Sequence, residues 1–115
     1  MVQNRNKLIE LFIGNISNSI IHQILEIAVI KELVADKYRK ELITSFELAK
    51  RYRKKINPVN RPLKDKDVLY IRAKIINKVR AELIARISKG YKNINLNLVE
   101  SLVDKSLIKM NIMVV

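Results

Sequence analysis

The side chains best equipped to do chemistry in this chain are its cations, and they are concentrated. Lys50-Arg51-Tyr52-Arg53-Lys54-Lys55 is a nearly unbroken basic run, Arg61, Lys64 and Lys66 follow it, and Lys74, Lys78 and Lys89 recur at spacings that share one side of a helix. Residues 36–92 hold 18 Lys+Arg against 6 Asp+Glu, which accounts for the whole formal net charge of +12, while residues 1–35 and 93–115 are each neutral. Segregation of this kind suits a polyphosphate backbone, because Lys and Arg neutralise phosphates without reading a sequence. The candidate nucleic-acid contacts are Lys50, Arg51, Arg53, Lys54, Lys55, Arg61, Lys64, Lys74, Lys78 and Lys89. A solvated basic helix end that complements its own dipole would explain Lys54 and Lys55, but hardly eighteen cations.

Other chemistries find little to work with. The chain has no cysteine, which excludes disulfides, thiolate metal sites and cysteine nucleophiles. His22 is the lone histidine, and its helical i+4 neighbour Glu26 makes a surface ion pair the expected arrangement, with no metal. Carboxylates are scattered, most with a basic neighbour three or four positions away, as Asp36 has Arg39 and Lys40. There is no glycine-rich phosphate loop, Gly-x-Ser-x-Gly, His-Glu-x-x-His or zinc spacing, so neither catalysis nor a cofactor is expected.

Arg72 and Arg86 stand apart, since a helical wheel puts both within an apolar stripe; each should pair with a carboxylate such as Glu10, Glu41, Glu47 or Glu82 or snorkel from the bundle rim. Ala81 and Ala85 lie between Lys78 and Lys89 and would let another backbone come close. The aromatics Tyr38, Phe46, Tyr52, Tyr70 and Tyr91 fall at helical intervals and read mostly as core, which argues against stacking on single-stranded bases. A helix-turn-helix fits poorly between Ala81 and Val99, because Gly90 comes one position late, so phosphate contacts are expected rather than base-edge readout.

The elements that must carry these groups are helices. Only 2 Gly and 2 Pro occur in 115 residues, too few turn-formers for an all-β fold, and the abundant Ile and Val recur every three or four positions instead of alternating. The fold expected is all-α, a single-domain four-helix bundle. Its first helix, about 3–35, is long and broadly apolar, with Ile9, Phe12, Ile13, Ile16, Ile20, Ile24, Ile27, Ile30 and Val34 in one stripe. Gly14-Asn15-Ile16-Ser17-Asn18-Ser19 is its weak point, but the stripe continues across it. A second strip, Ile21, Leu25, Ala28 and Val29, puts this helix at the bundle centre or in a subunit interface.

Further helices are expected at about 36–55, 66–89 and 98–110. The second turns Tyr38, Leu42, Phe46, Ala49, Tyr52 and Ile56 inward and stops at Asn57-Pro58, before an exposed loop containing Val59, Asn60 and Pro62. Asp65 or Asp67 can cap the third, which buries Val68, Ile71, Ile75, Ile76, Val79, Leu83 and Ile87 and ends at Gly90. Asn97 to Glu100 has capping-box spacing for the fourth, with Val99, Leu102, Val103 and Met110 inward. The apolar tail, Asn111 to Val115, is either a docked end or a partner-binding segment.

The stretch from Asp67 to Lys92, following Asp36-Lys37-Tyr38, resembles the helical domain of the archaeal GINS replication proteins, over less than half of the chain and without a specific motif. Ile20 to Val34 is interrupted by His22, Gln23, Glu26, Lys31 and Glu32, too many polar groups for a bilayer span, and no cleavage site follows the N-terminus; a cytoplasmic protein is expected. The function expected is sequence-independent DNA or RNA binding, architectural or packaging in kind. A dimer or hetero-complex through the first helix and the tail goes with it. The alternatives are a non-catalytic subunit of a nucleoprotein or replication assembly, and docking to an anionic membrane.

Overall fold

A computed structural model describes residues 4–29, 32–57 and 61–114. Ile30 of the expected stripe, Lys31, Pro58, Val59 and Asn60 of the expected loop, and Val115 of the tail lie outside the described residues. Every regular element among the described residues is helical: α1 (Arg5–Ala28), α2 (Glu32–Ile56), α3 (Asp65–Ser88), a 3-10 turn (Leu96–Leu98) and α4 (Val99–Lys109).

α1 starts where the Asn4 side chain accepts from the Asn6 N–H at 2.8 Å, and it runs through Gly14 without a break, as the continuous stripe requires. It ends at Ala28, seven residues before the expected limit of about 35. Val29 is extended (φ −86, ψ 146), and α2 opens at Glu32 rather than at residue 36. The apolar stripe hid this turn. Ile27, Val29 and Ile30 are β-branched and weakly helix-forming, and a hydrophobic period can carry across a reversal that no Gly or Pro marks.

Helix directions follow from the pairs that join them. Arg5 meets Asp67 at 2.7 Å and Glu10 meets Tyr70 at 2.5 Å, so α1 and α3 run parallel. Glu26 meets Arg39 at 2.8 Å, so α2 returns antiparallel to α1. α4 descends beside α3 and ends near the C-terminal turn of α2, where the Met110 carbonyl accepts from Arg53. The bundle measures 42 × 25 × 24 Å.

α1 packs against all three other helices and supplies Phe12, Ile13, Ile16, Ile20 and Ile24, each at most 1% exposed, to one core with Ile71, Ile75, Val79, Leu83, Val103 and Leu107. By length and composition α1 could cross a membrane; in this fold most of its apolar window is buried in the protein. The stripe does not reach the end of the bundle, since Ile27 and Val34 are exposed, and Ile87, expected to be buried on α3, is exposed as well.

Two helices stop in the same way. At α3 the Gly90 N–H reaches the Ile87 carbonyl and the Tyr91 N–H the Arg86 carbonyl, with Gly90 at φ +100. At α4 Asn111 takes the left-handed position (φ 57), its N–H on the Ile108 carbonyl and that of Ile112 on Leu107. Both are Schellman closures, and the second turns Ile112 into the core at 0% exposure. The tail is therefore docked through Ile112, leaving Val114 outside. The N-terminal caps differ from expectation: Lys64, not an aspartate, is the N-cap of α3, and Asp65 and Asp67 lie in its first turn, where the helix dipole favours them. Asn95, not Asn97, accepts a capping bond, one 3-10 turn ahead of α4.

Candidate nucleic-acid interface

The last two turns of α2 carry the basic run, and helical period divides it. Ala49, Arg53 and Ile56 share the inward face at i, i+4 and i+7; Lys50, Arg51, Lys54 and Lys55 point elsewhere and are exposed. Arg53 is 2% exposed. Its guanidinium donates to the Met110 carbonyl at 2.8 Å, the Asn111 carbonyl at 2.7 Å, the Arg61 carbonyl at 2.8 Å and the Asn57 side-chain oxygen. Asn57 also donates to the Arg61 carbonyl at 2.9 Å, and the Leu63 N–H bonds the Ile112 carbonyl at 3.0 Å.

Arg53 thus joins the end of α2, the inter-helix loop and the close of α4, and it is unavailable to a ligand. No carboxylate is among its acceptors; the partial negative charge of the α4 C-terminus faces it instead. Burial lowers its pKa from the ordinary arginine value. Its place among the expected contacts is corrected on this ground.

The remaining nine expected contacts are all exposed: Lys50, Arg51, Lys54, Lys55, Arg61, Lys64, Lys74, Lys78 and Lys89. They do not form one compact patch. Lys50 to Lys55, Arg61 and Lys64 gather where α2, the loop and the start of α3 meet, joined by Lys66, which is in the first turn of α3 rather than in the loop. Lys74 and Lys78 climb the outer side of α3, and Lys89 is the C-cap at its far end, about 36 Å along the axis from Asp65.

Most of the described carboxylates are engaged elsewhere. Asp67 holds Arg5, Glu26 and Asp36 hold Arg39, Glu41 holds His22, Glu82 holds Arg86 at 2.9 Å and Asp104 holds Arg72. Among the described residues only Glu47, at 3.7 Å from Lys50, forms an ion pair with an expected contact.

Arg72 and Arg86 both pair, as expected, and Arg86 does so with a named candidate. Arg72 instead takes Asp104 on α4 through Nε at 2.7 Å and Nη2 at 3.2 Å; its spacing of 32 positions could not be read from helix periodicity. The hydrogen bond to Asp104 raises the pKa of Arg72. His22 departs from expectation too: Nε2 lies 2.7 Å from Glu41, not Glu26, and Nδ1 lies 2.8 Å from the Asn18 carbonyl. The helix hairpin brings α2 closer to the ring than its own i+4 neighbour.

Aromatic rings accompany the lysines. Lys50 and Lys109 each place Nζ 5.8 Å from the centre of Phe46, Lys55 lies 5.8 Å from Tyr52, and Lys74 lies 5.7 Å from Tyr70. Phe46 and Tyr52 are half-buried and Tyr70 is exposed, so these rings sit at the edge of the core rather than within it. The sequence signal was an aromatic followed by lysine three or four positions on. Lys109, from the neutral C-terminal segment, carried no such signal. A hydrogen bond to Glu10 raises the pKa of Tyr70.

Among the described residues no three His, Cys, Asp or Glu side chains gather as metal ligands. No protein-family model, curated protein or solved structure matches the chain. The resemblance over Asp67 to Lys92 therefore gains no support.

Proposed function

We propose that this protein is a non-catalytic, sequence-independent nucleic-acid binder that grips the phosphate backbone through the basic end of the bundle, with Lys74 and Lys78 extending the contact along α3. The observation that carries this reading is the division of charge: carboxylates pair mainly with arginines and His22 at the helix seams, while Arg51, Lys54, Lys55, Arg61, Lys64, Lys74 and Lys78 have no carboxylate partner among the described residues. Uncompensated cations repel one another and disfavour the compact state at low salt, a cost that a polyanion relieves.

If about six phosphates are contacted, affinity falls about a thousandfold between about 50 and 200 mM salt. A titration of duplex and single-strand binding against salt tests this, and a salt-insensitive complex would remove the proposal.

A second reading, a subunit of a nucleoprotein assembly, is favoured by the opposite end of the bundle. Ile27 at 62% exposure and Leu33 at 86% leave apolar surface at the α1–α2 turn. The surfaces first expected to hold a partner, the length of α1 and the tail, are filled largely from within the chain by the other helices and by Ile112. Leu33→Asp would weaken self-association or hetero-complex formation while leaving nucleic-acid binding intact.

A further inference from the structure

A groove of about 780 Å³ runs between α2 and α4 over α1, within the range of small-ligand sites. Leu42, Ile43, Phe46, Leu102 and Ile108 make its walls largely apolar; Gln23 and Ser106 add amide and hydroxyl groups, and the carboxylates of Glu26 and Glu47, paired with Arg39 and Lys50, also line it. Along α2 its wall leads straight into the basic run: Ile43, Phe46, Glu47, Lys50 and Lys54 fall within about 100° of arc.

Near this end of the groove Lys50 from α2 and Lys109 from α4 each place an ammonium group 5.8 Å from the centre of the Phe46 ring. Lys109, Lys105 and Lys54 have no ion-pair partner among the described residues. Lysines beside an aromatic ring, with amide and hydroxyl groups in the same groove, together match a nucleotide: phosphate against the lysines, base against the ring.

We propose that this groove accepts an unstacked base from a single-stranded nucleic acid, with Phe46 as its stacking surface and Lys50 and Lys109 on the flanking phosphates. The proposal rests on the nucleic-acid reading above and narrows it. A duplex keeps its bases paired and stacked, so it engages only the phosphate-binding lysines; a single strand gains the groove as well. Base–aromatic stacking tolerates any sequence, which fits the missing base-edge readout.

The test compares three labelled probes on the unaltered protein at fixed low salt: an oligonucleotide of about twelve nucleotides, the same strand with abasic sites at its centre, and the duplex. The abasic strand should bind about tenfold more weakly than the intact one. Phe46→Leu, which keeps an apolar side chain in the groove, should bring the intact strand down to the abasic level and leave duplex binding unchanged. Equal binding of intact and abasic strands overturns the base-accepting groove and leaves phosphate binding standing. A base preference untouched by Phe46→Leu overturns the groove as its site. Failure of all three probes to bind overturns both readings. The abasic comparison needs no substitution, so it decides the matter even if Phe46→Leu unfolds.

Discussion

The end of α2 holds two populations of cation. Arg53 is buried on the side of Ala49 and Ile56, its guanidinium filled by backbone and amide oxygens; Arg51, Lys54 and Lys55, within two positions of it, stand in solvent with no carboxylate partner among the described residues. The same charge therefore organises the fold on one face of the helix and is left over on the other. The difference teaches that a basic run must be divided by helical face before it is counted as a ligand site.

The most damaging single change should be on the inner face. Arg53→Ala leaves the carbonyls of Met110, Asn111 and Arg61 without their donor, and the expected loss is about 3 kcal/mol of stability. Thermal unfolding should then begin about 10 °C lower. Arg53→Lys keeps the charge but not the planar fork, and it should recover less than half of the loss. Hydrogen exchange of the Ile112 amide reads the release of the tail directly. If Arg53→Lys matched the original protein in stability, the inner population would be mere charge and the comparison would fail.

On the outer face the expected effect is on binding. Changing Arg51, Lys54, Lys55 and Lys64 together to Glu should lower single-strand and duplex affinity about a hundredfold at about 0.1 M salt and reduce the salt slope by about three to four. Stability should move little, and should rise at low salt as repulsion is relieved. Circular dichroism and a binding titration check both halves; unchanged affinity would end the phosphate reading.

The inner role of Arg53 was legible. Ala49 and Ile56 belong to the inward stripe, and Arg53 lies four after one and three before the other; the basic run around it carries the opposite signal. The Schellman stop at Gly90 was legible because glycine announces a left-handed residue, whereas Asn111 does the same job with a weaker signal. Helices α3 and α4, each with its apolar stripe, lie within a residue or two of expectation. The α1–α2 turn was not legible, because no local chemistry marks it and only the return of α2 along α1 requires it. Arg72 with Asp104, His22 with Glu41 and Lys109 at Phe46 join separate helices, so their partners waited on the packing.

A smaller effect belongs to Arg72 at the α3–α4 seam, which lies between the two populations in burial. Arg72 and Asp104 are each about one-third exposed in their side chains and tie α3 to α4 by two bonds. Asp104→Asn should cost about 1 kcal/mol in chemical denaturation, and about 1 M salt should shrink the difference. Nucleic-acid affinity should not fall, because removing a carboxylate leaves the cations in place. A clear fall would place α4 in the interface and blur the line between folding and binding cations.

The smallest effect tests how far the outer population extends. Lys89 shares a side of α3 with Lys74 and Lys78, yet it lies about 36 Å along the helix from Asp65, in a bundle 42 Å long. At about 0.15 M ionic strength charges are screened beyond about 8 Å, so Lys89 adds to binding only if the ligand reaches it. A backbone gripped at the α2–loop–α3 junction passes Lys74 and Lys78 before it passes Lys89. Lys89→Glu should therefore change affinity less than about twofold, against about tenfold for Lys54→Glu, measured on one short oligonucleotide. Lengthening the oligonucleotide separates reach from irrelevance: a Lys89→Glu effect that emerges only with longer strands places Lys89 at the far end of a track along α3, and one already full-sized on the short strand moves the centre of the interface away from α2 altogether.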